Sequence, residues 1–90
     1  MKYRKKPVVI EALQWDGTLA GVRAIREWAP ELMVNSLVTD KDGNVAEWRI
    51  GTLEGSHIVS KYDFVIKGIA GEFYPCKSDI FRATYDAVTD

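Results

Sequence analysis

The first apolar run of the chain extends from Val8 to Trp15 and is interrupted only by Glu11 and Gln14. A strand of this composition is apolar on both faces, which is typical of a central strand covered on two sides. Pro7 cannot donate a hydrogen bond to a neighbouring strand, so it fits the first position of this one. We therefore expect a central first strand that carries Glu11 at the rim of the sheet.

Helical periodicity follows this strand. Apolar residues at spacings of three form one stripe, whose members are Leu19, Val22, Ile25 and Trp28. Asp16 and Thr18 are suited to cap the helix at its start, and Pro30 ends it. The stripe predicts an amphipathic helix whose Trp28 side chain lies in the core or at its rim.

Short strands and turns occupy the middle of the chain. Strand patterns cover residues 32–39, 45–50 and 57–60, and turn-forming residues separate them at 40–44 and 51–55. Asp40, Asp42 and Asn44 resemble the start of a calcium loop, but the residues that follow do not complete one. This region therefore predicts hairpins without a metal site.

The last third of the chain repeats this pattern and ends in a helix. Residues 64–66 and 73–75 predict two strands joined by a glycine-bearing loop. Ser78 is expected to cap the final helix, with Asp79 in the first turn, where a carboxylate is favourable. The expected packing face of this helix consists of Ile80, Phe81, Thr84, Tyr85 and Val88.

Together these elements predict an α+β fold. We expect one domain, residues 1–90, built on a mainly antiparallel sheet that is twisted or partly closed. The sheet would contain about five to six short strands, with the two helices packed on it. The turns lie too close together for helical crossovers, which disfavours a parallel sheet.

Composition and charge exclude some classes of protein. The chain is 47% apolar and 28% charged, which argues against disorder. Its net charge of -1 argues against a molecule that is basic over its whole surface, as many nucleic-acid-binding domains are. A basic run, Lys2, Arg4, Lys5 and Lys6, stands at the start of the chain. We interpret it as a solvated arm that keeps an edge strand soluble; a phosphate-contacting arm is the alternative.

The cysteine count and the length of the apolar runs bear on location. Cys76 is the single cysteine, which excludes an internal disulfide and suits a reducing compartment. The apolar runs are no longer than strands, and we recognise no signal peptide or transmembrane segment. We therefore expect a cytoplasmic protein. One histidine and one cysteine do not make a zinc site, and no phosphate-binding loop is present, so neither a metal nor a cofactor is expected.

Three blocks of the sequence carry a family resemblance. They are YRKKPVVIEA (3–12) with Gln14-Trp15, TLEG (52–55), and IKG (66–68) with GEFYPCK (71–77), Asp79-Ile80-Phe81 and Thr84-Tyr85. The chain resembles a family of small phage and prophage proteins named for a Pro-Gly-Asp-Tyr-Gly motif. The resemblance implies a phage origin and location in the host cytoplasm, and it assigns no activity.

The sequence departs from this family at two positions. The family usually has glycine followed by Asp-Tyr or Asp-Trp where this chain has Tyr62-Asp63-Phe64. Glycine permits positive φ, so Tyr62 must adopt such a conformation at a cost or avoid it. Ser78 stands where the family often has proline, so a side-chain cap would replace a fixed φ.

Candidate binding residues lie near the predicted second helix. Lys67, Lys77 and the helix start at Ser78 could hold a small anionic ligand, such as a nucleotide-like one, and Tyr74 could stack against it. Together with the basic arm, the same residues could form a nucleic-acid-binding surface. Asp79 opposes anion binding because it adds negative charge at the helix start.

Cys76, His57 and Asp79 are the residue types of a thiol hydrolase. The predicted helix start could lower the pKa of a cysteine placed just before it. Nothing in the sequence fixes the mutual geometry of the three residues, and a lone cysteine there is more often a small buried side chain. A thiol hydrolase is therefore the less favoured alternative.

The sequence as a whole favours a non-enzymatic, phage-encoded accessory protein that binds a host protein or a small ligand, such as a nucleotide-like one. A small nucleic-acid-binding module is the main alternative, ahead of the thiol hydrolase. Three tryptophans are more than a core of this size easily buries, and tryptophan is favoured at interfaces. Trp48 stands between Glu47 and Arg49, so we expect it in a homodimer or host-protein interface.

Overall fold

The structure is a computed structural model that describes residues 1–88 of the chain. The elements in chain order are β1 (Glu11–Gln14), α1 (Leu19–Trp28), β2 (Val34–Thr39), β3 (Val45–Thr52), β4 (Gly55–Ile58), β5 (Phe64–Lys67), β6 (Phe73–Cys76) and α2 (Ser78–Thr84). Residues 1–10 have no regular secondary structure. Within residues 1–88, neither helix has the length and apolar character needed to cross a membrane.

The strands form two antiparallel sheets of three strands each. Sheet A has the order β1-β5-β6, and sheet B has the order β2-β3-β4. The α+β class and the antiparallel pairing are confirmed. The expectation of one continuous sheet is corrected, because the chain leaves sheet B after β4 and pairs β5 with β1.

The first strand is an edge strand, which corrects the prediction of a central one. β1 is four residues long and pairs with β5, while Pro7, Val8 and Val9 lie outside it and are exposed. The central position belongs to β5, which has β1 on one side and β6 on the other. Val65 and Ile66 point to opposite faces of sheet A and are both buried, so β5 is covered on both faces.

The main core lies between the two sheets and α1. Its largest side chain is Trp48 in the middle of β3, which is 0% exposed. Trp15, directly after β1, meets it edge to face with ring centroids 5.3 Å apart. The indole N–H of Trp15 donates to the carbonyl of Thr18 at 2.8 Å. This pair of tryptophans joins sheet A to sheet B.

Helix α1 forms as the sequence predicts. The hydroxyl of Thr18 accepts a hydrogen bond from the Gly21 N–H and caps the first turn. Val22 and Ile25 are buried in the core. Trp28 is half-buried at the rim, where its ring meets Phe73 of β6 at 6.3 Å.

Two hairpins share one turn geometry. In the β5–β6 turn, the Gly71 N–H donates to the Gly68 carbonyl and the Gly68 N–H donates to the Glu72 carbonyl. Gly71 has a φ of 83°, and Gly43 takes the same position in the β2–β3 turn with a φ of 82°. A Cβ at either glycine would meet no atom of residues 1–88 within 4 Å, so conformation rather than space requires glycine there.

Helix α2 covers the outer face of sheet A. Phe81 stacks on Phe64 with ring centroids 3.9 Å apart. The N-cap is Lys77, which makes no side-chain cap, so the prediction of Ser78 as the capping residue is wrong. Ser78 instead is the first residue of the helix. This seven-residue helix has no buried residue among those described, so aromatic stacking rather than deep burial holds it.

The packing face predicted for α2 is correct only in part. Phe81 and Tyr85 are half-buried and lie 5.0 Å apart between ring centroids. Ile80, Thr84 and Val88 are exposed. The helix is too short to present its whole apolar stripe to the sheet, since only about two turns are formed.

Tyr62 adopts the strained conformation that the sequence raised as one possibility. Its φ is 71°, in the left-handed region that residues with a Cβ rarely occupy. The Tyr62 N–H donates to the Trp15 carbonyl, and the side-chain amide of Gln14 donates to the Tyr62 carbonyl. These bonds hold the backbone in place while 53% of the residue stays exposed. The turn into β5 therefore has the conformation that a glycine would favour.

The strain at Tyr62 can be measured with two substitutions. Tyr62→Ala removes the ring but keeps a Cβ at positive φ, whereas Tyr62→Gly removes both. We expect the glycine variant to be more stable than the alanine variant by about 1 kcal/mol, because left-handed backbone costs an L-residue roughly that much. Urea unfolding of both variants provides the comparison. An alanine variant as stable as the glycine variant would show that the turn carries no strain.

Candidate functional site

A groove lies between the β3–β4 hairpin and strand β6. It encloses about 550 Å³. We call it the hairpin groove, and its lining residues are Thr52, Leu53, Glu54, His57, Glu72, Phe73, Tyr74 and Pro75. Strand β6 lies against both β3 and β4, so the two sheets form the opposite walls.

One wall of the groove is an unpaired strand edge. The carbonyl of Glu72 accepts from the Gly68 N–H at 2.7 Å, so this residue faces β5, and Tyr74 is the next residue of β6 to do so. By the alternation of an antiparallel pair, the N–H and C=O of Phe73 and the C=O of Pro75 point away from β5. These groups point toward the groove and have no strand partner among residues 1–88.

Proline is compatible with this edge position. Pro75 stands opposite Val65 in β6 at a position where the backbone nitrogen faces outward. A residue there would direct its N–H away from the sheet, so the missing donor costs sheet A nothing. The sequence thus marks β6 as an edge strand.

The opposite wall belongs to the inner face of sheet B. His57 of β4 pairs with Ile50 of β3, so the two side chains lie on the same face of the sheet. Ile50 is fully buried against the core, yet His57 is exposed. The space between the sheets is therefore filled at Ile50 and open at His57, and this opening is the hairpin groove.

The charge of the groove is acidic. Glu54 lies at the tip of the β3–β4 hairpin, and Glu72 lies at the start of β6. The Glu72 side chain folds over Gly68, where an added Cβ would collide with its carboxylate. Among residues 1–88, the lining includes these two acidic residues and no lysine or arginine. A lining that combines apolar residues with two acidic residues suits a ligand that is apolar and basic.

The structure does not bring the four predicted ligand-binding residues together. Lys67, at the end of β5, pairs with Glu31 at 3.1 Å. Lys77 follows the far end of β6 and pairs with the buried carboxylate of Asp63 at 3.4 Å. The two ammonium groups therefore serve separate ion pairs at opposite ends of the hairpin. The pKa of Glu31 lies below its usual value, because its carboxylate is hydrogen-bonded to its own backbone and to Lys67.

Of the remaining two predicted residues, only Tyr74 lines the groove. Ser78 lies in the first turn of α2, beyond the end of β6. The sequence placed these residues close together because they are neighbours along the chain. In the structure, the alternation of β6 and the turn into α2 separate them.

Cys76 and His57 lie on different sides of sheet A. Cys76 pairs with Phe64, on the face that α2 covers, whereas His57 lies across the groove on β4. Burial raises the pKa of the Cys76 thiol, and the carboxylates of Asp63 and Asp79 raise it further. The expectation that a helix start lowers this pKa is therefore wrong. Among residues 1–88, no three His, Cys, Asp or Glu side chains form a group that could hold a metal ion.

The structure also changes the assignment of Trp48. Its ring is fully buried between the sheets and presents no surface to a partner. The interface role expected for Trp48 is therefore corrected to a role in the core. Its flanking residues misled the sequence interpretation: Glu47 and Arg49 point to the other face and pair with each other at 3.2 Å. Among the buried side chains of residues 1–88, the Trp48 indole N–H is a donor without a hydrogen-bond partner.

Sequence reasoning missed Leu53, Glu54 and Glu72 as site residues. A signal for them was present, because two of the blocks that carry the family resemblance, 52–55 and 71–77, meet at this groove. They are about twenty residues apart in sequence, so only the packing of β6 against the β3–β4 hairpin reveals their proximity.

Comparisons with models of protein families, with curated proteins and with solved structures find no match to this chain.

The Tyr74 phenol lies beside Tyr85 on the face of sheet A that α2 covers, and it gives the fold a pH dependence. Desolvation, together with the neighbouring phenol of Tyr85, raises the pKa of Tyr74 to about 12 from an ordinary value of 10.0. A raised pKa means that the folded chain holds this proton more tightly than the unfolded chain does. The contribution to stability is therefore complete below pH 10.0 and is lost as the pH rises toward about 12.

Tyr74→Phe tests this assignment. The variant cannot ionise at this position, so it should lose less unfolding free energy than the wild type between neutral pH and about pH 11. Urea unfolding at the two pH values measures the difference, with Tyr3→Phe in the exposed arm as the matched control. Equal losses in wild type and Tyr74→Phe would contradict the raised pKa.

Proposed function

We propose that this chain is a non-enzymatic, phage-encoded accessory protein that binds a host protein by capturing an extended segment of it in the hairpin groove. The observation that carries the proposal is the unpaired edge of β6 along one wall. An extended peptide can pair with such an edge through its backbone, while adjacent pockets select its side chains. The captured segment would become a fourth strand of sheet A.

Unpaired backbone groups support this mode of binding. The Phe73 N–H and C=O and the Pro75 C=O would gain partners from an added strand. Pro75 has no N–H, so one hydrogen bond between β6 and the added strand would be missing. The paired part of the added strand is therefore limited to a few residues. Affinity would then depend on side chains that enter the groove between Phe73 and His57, beside Leu53.

Charge supports a basic segment over a small anion. Glu54 and Glu72 would repel a phosphate or a nucleotide and attract lysine or arginine. The cations considered for an anionic ligand, Lys67 and Lys77, are engaged elsewhere in ion pairs. The same acidic lining disfavours a nucleic-acid backbone in the groove. A protein segment with alternating apolar and basic residues therefore fits best.

Selection from a library of displayed random peptides tests the proposal without knowledge of the host protein. We expect the recovered peptides to alternate apolar and basic residues. A synthetic copy of a recovered peptide should shift the backbone amide resonances of Phe73 and its neighbours in β6. Reversing both charges of the groove, Glu54→Lys with Glu72→Lys, should weaken binding about tenfold or more, because each exposed charge pair contributes up to about 1 kcal/mol.

Two controls accompany this measurement. Asp42→Lys reverses an exposed carboxylate at the tip of the β2–β3 hairpin, outside the groove lining, and should leave affinity unchanged. Two versions of the peptide, N-methylated at its odd or at its even positions, should differ in affinity. The version whose methyl groups replace the N–H donors that face β6 should bind weakly. Recovered peptides that bind equally well to the groove-reversed chain, or that shift resonances only away from β6, would refute the proposal.

A further inference from the structure

The first ten residues form an arm without regular secondary structure, of which residues 8–10 border a groove beside α2. Residues 1–9 are exposed, and Val9 is 76% exposed despite its apolar side chain. The described chain measures 54 × 28 × 23 Å, with a radius of gyration of 14.2 Å. A compact chain of this length would have a radius of gyration of about 12 Å. The arm therefore accounts for an elongated molecule.

The composition of the arm matches the ligand that the hairpin groove favours. Four of its residues are basic, and the apolar run Val8-Val9-Ile10 follows them directly. Valine and isoleucine favour extended backbone. The arm thus offers an extended, basic and apolar segment, while the groove offers two acidic lining residues, apolar lining residues and an unpaired strand edge.

The arm of the same chain does not occupy this groove. It continues from β1, which lies on the far side of β5 from β6. The stretch from Val8 to Ala12 instead borders a second groove, whose other wall is formed by α2 and the residues that follow it. Residues 1–7 extend beyond these contacts, and seven extended residues reach about 23 Å. That reach is enough to span to a neighbouring molecule.

We propose that the hairpin groove of each copy binds the N-terminal arm of a second copy, so that the protein forms a homodimer by exchange of arms. This inference rests on the proposed function, since it requires the groove to accept an extended segment. Lys5 and Lys6 of one copy lie beside Glu54 and Glu72 of the other. Each arm adds a strand to the edge of β6, and the dimer is closed because both copies contribute the same two surfaces.

Arm exchange regulates the groove. A host segment must displace the arm of the second copy, so dimerisation and host binding exclude each other. High concentration of the protein therefore lowers its apparent affinity for the host segment. The dimer also covers the free edge of β6, which would otherwise be open to uncontrolled pairing with other strands.

Charge reversal tests the exchange. The arm-reversed chain carries Lys5→Glu and Lys6→Glu, and the groove-reversed chain carries Glu54→Lys and Glu72→Lys. Sedimentation equilibrium of the wild type should show a dimer of the 10.2-kDa chain at high concentration. Each reversed chain alone should dimerise at least tenfold more weakly, because its arm and groove repel each other. Their equimolar mixture should form a heterodimer, since both of its arm–groove contacts again join opposite charges.

The arm-reversed chain keeps the test decisive even if the groove variant folds poorly, because its substitutions lie in residues without secondary structure. Lys41→Glu with Asp42→Lys, at the tip of the β2–β3 hairpin, is the matched control and should dimerise like the wild type. The peptide recovered by display should dissociate the wild-type dimer.

Each failure has a distinct meaning. A wild-type chain that stays monomeric while the recovered peptide binds the groove overturns arm exchange and leaves the proposed function standing. A monomer that also fails to bind the peptide overturns both. If the arm-reversed chain dimerises with the same dissociation constant as the wild type, another surface joins the two copies. That result also overturns arm exchange.

Discussion

The contact between Trp15 and Trp48 is the interaction on which the rest of the fold depends. Each sheet has only three short strands and buries the apolar residues of one face against the other sheet. Neither sheet is therefore stable alone. The two rings meet edge to face at 5.3 Å and join the sheets at this point. Trp15 also donates from its indole to the Thr18 carbonyl, which places the start of α1 against the same core.

The backbone of Trp15 fixes the turn that leads into β5. Its N–H donates to the Asp63 carbonyl, and its carbonyl accepts from the Tyr62 N–H. Asp63 is buried and accepts from the Ser60 N–H while pairing with Lys77. The positive φ of Tyr62 follows from these bonds, because the turn must bring residue 62 back to Trp15 within a few residues. Strain at one residue is thus balanced by several hydrogen bonds.

Closure at the tryptophan pair leaves the other end of the space between the sheets open. The side chains on the inner face of β3 and β4 change from Trp48 and Ile50, both fully buried, to the exposed His57. On sheet A the same space is bordered by Phe73 and Pro75, whose outward backbone groups have no strand partner among residues 1–88. The groove is therefore a consequence of how the two sheets are joined.

The helices and hairpins were predictable from sequence because each depends on neighbouring residues. The apolar stripe from Leu19 to Trp28 is sufficient to predict helix α1, and Gly43 is sufficient to predict the turn between β2 and β3. The division into two sheets, the edge position of β1 and the burial of Trp48 depend on contacts between distant residues. No local pattern distinguishes an apolar strand at an edge from one in the centre, and the polar neighbours of Trp48 describe only the opposite face of β3.

The candidate site was less predictable than the fold. Tyr74 was identified, but as part of an anion site with Lys67 and Lys77, because those residues are close in sequence. The ion pairs with Glu31 and Asp63 that occupy the two lysines join residues far apart in the chain. The acidic groove likewise combines Glu54 with Glu72, and only the packing of the two sheets brings them to one opening.

Amide hydrogen exchange along β6 tests the central claim most directly, namely that this edge is open in one chain and covered by another. In the arm-reversed monomer, the Phe73 amide should exchange rapidly, while the adjacent Tyr74 amide, bonded toward β5, should be protected. In the wild-type chain at high concentration, both amides should be protected. Rapid exchange of the Phe73 amide in both samples, or equal protection of it in both, would contradict the account.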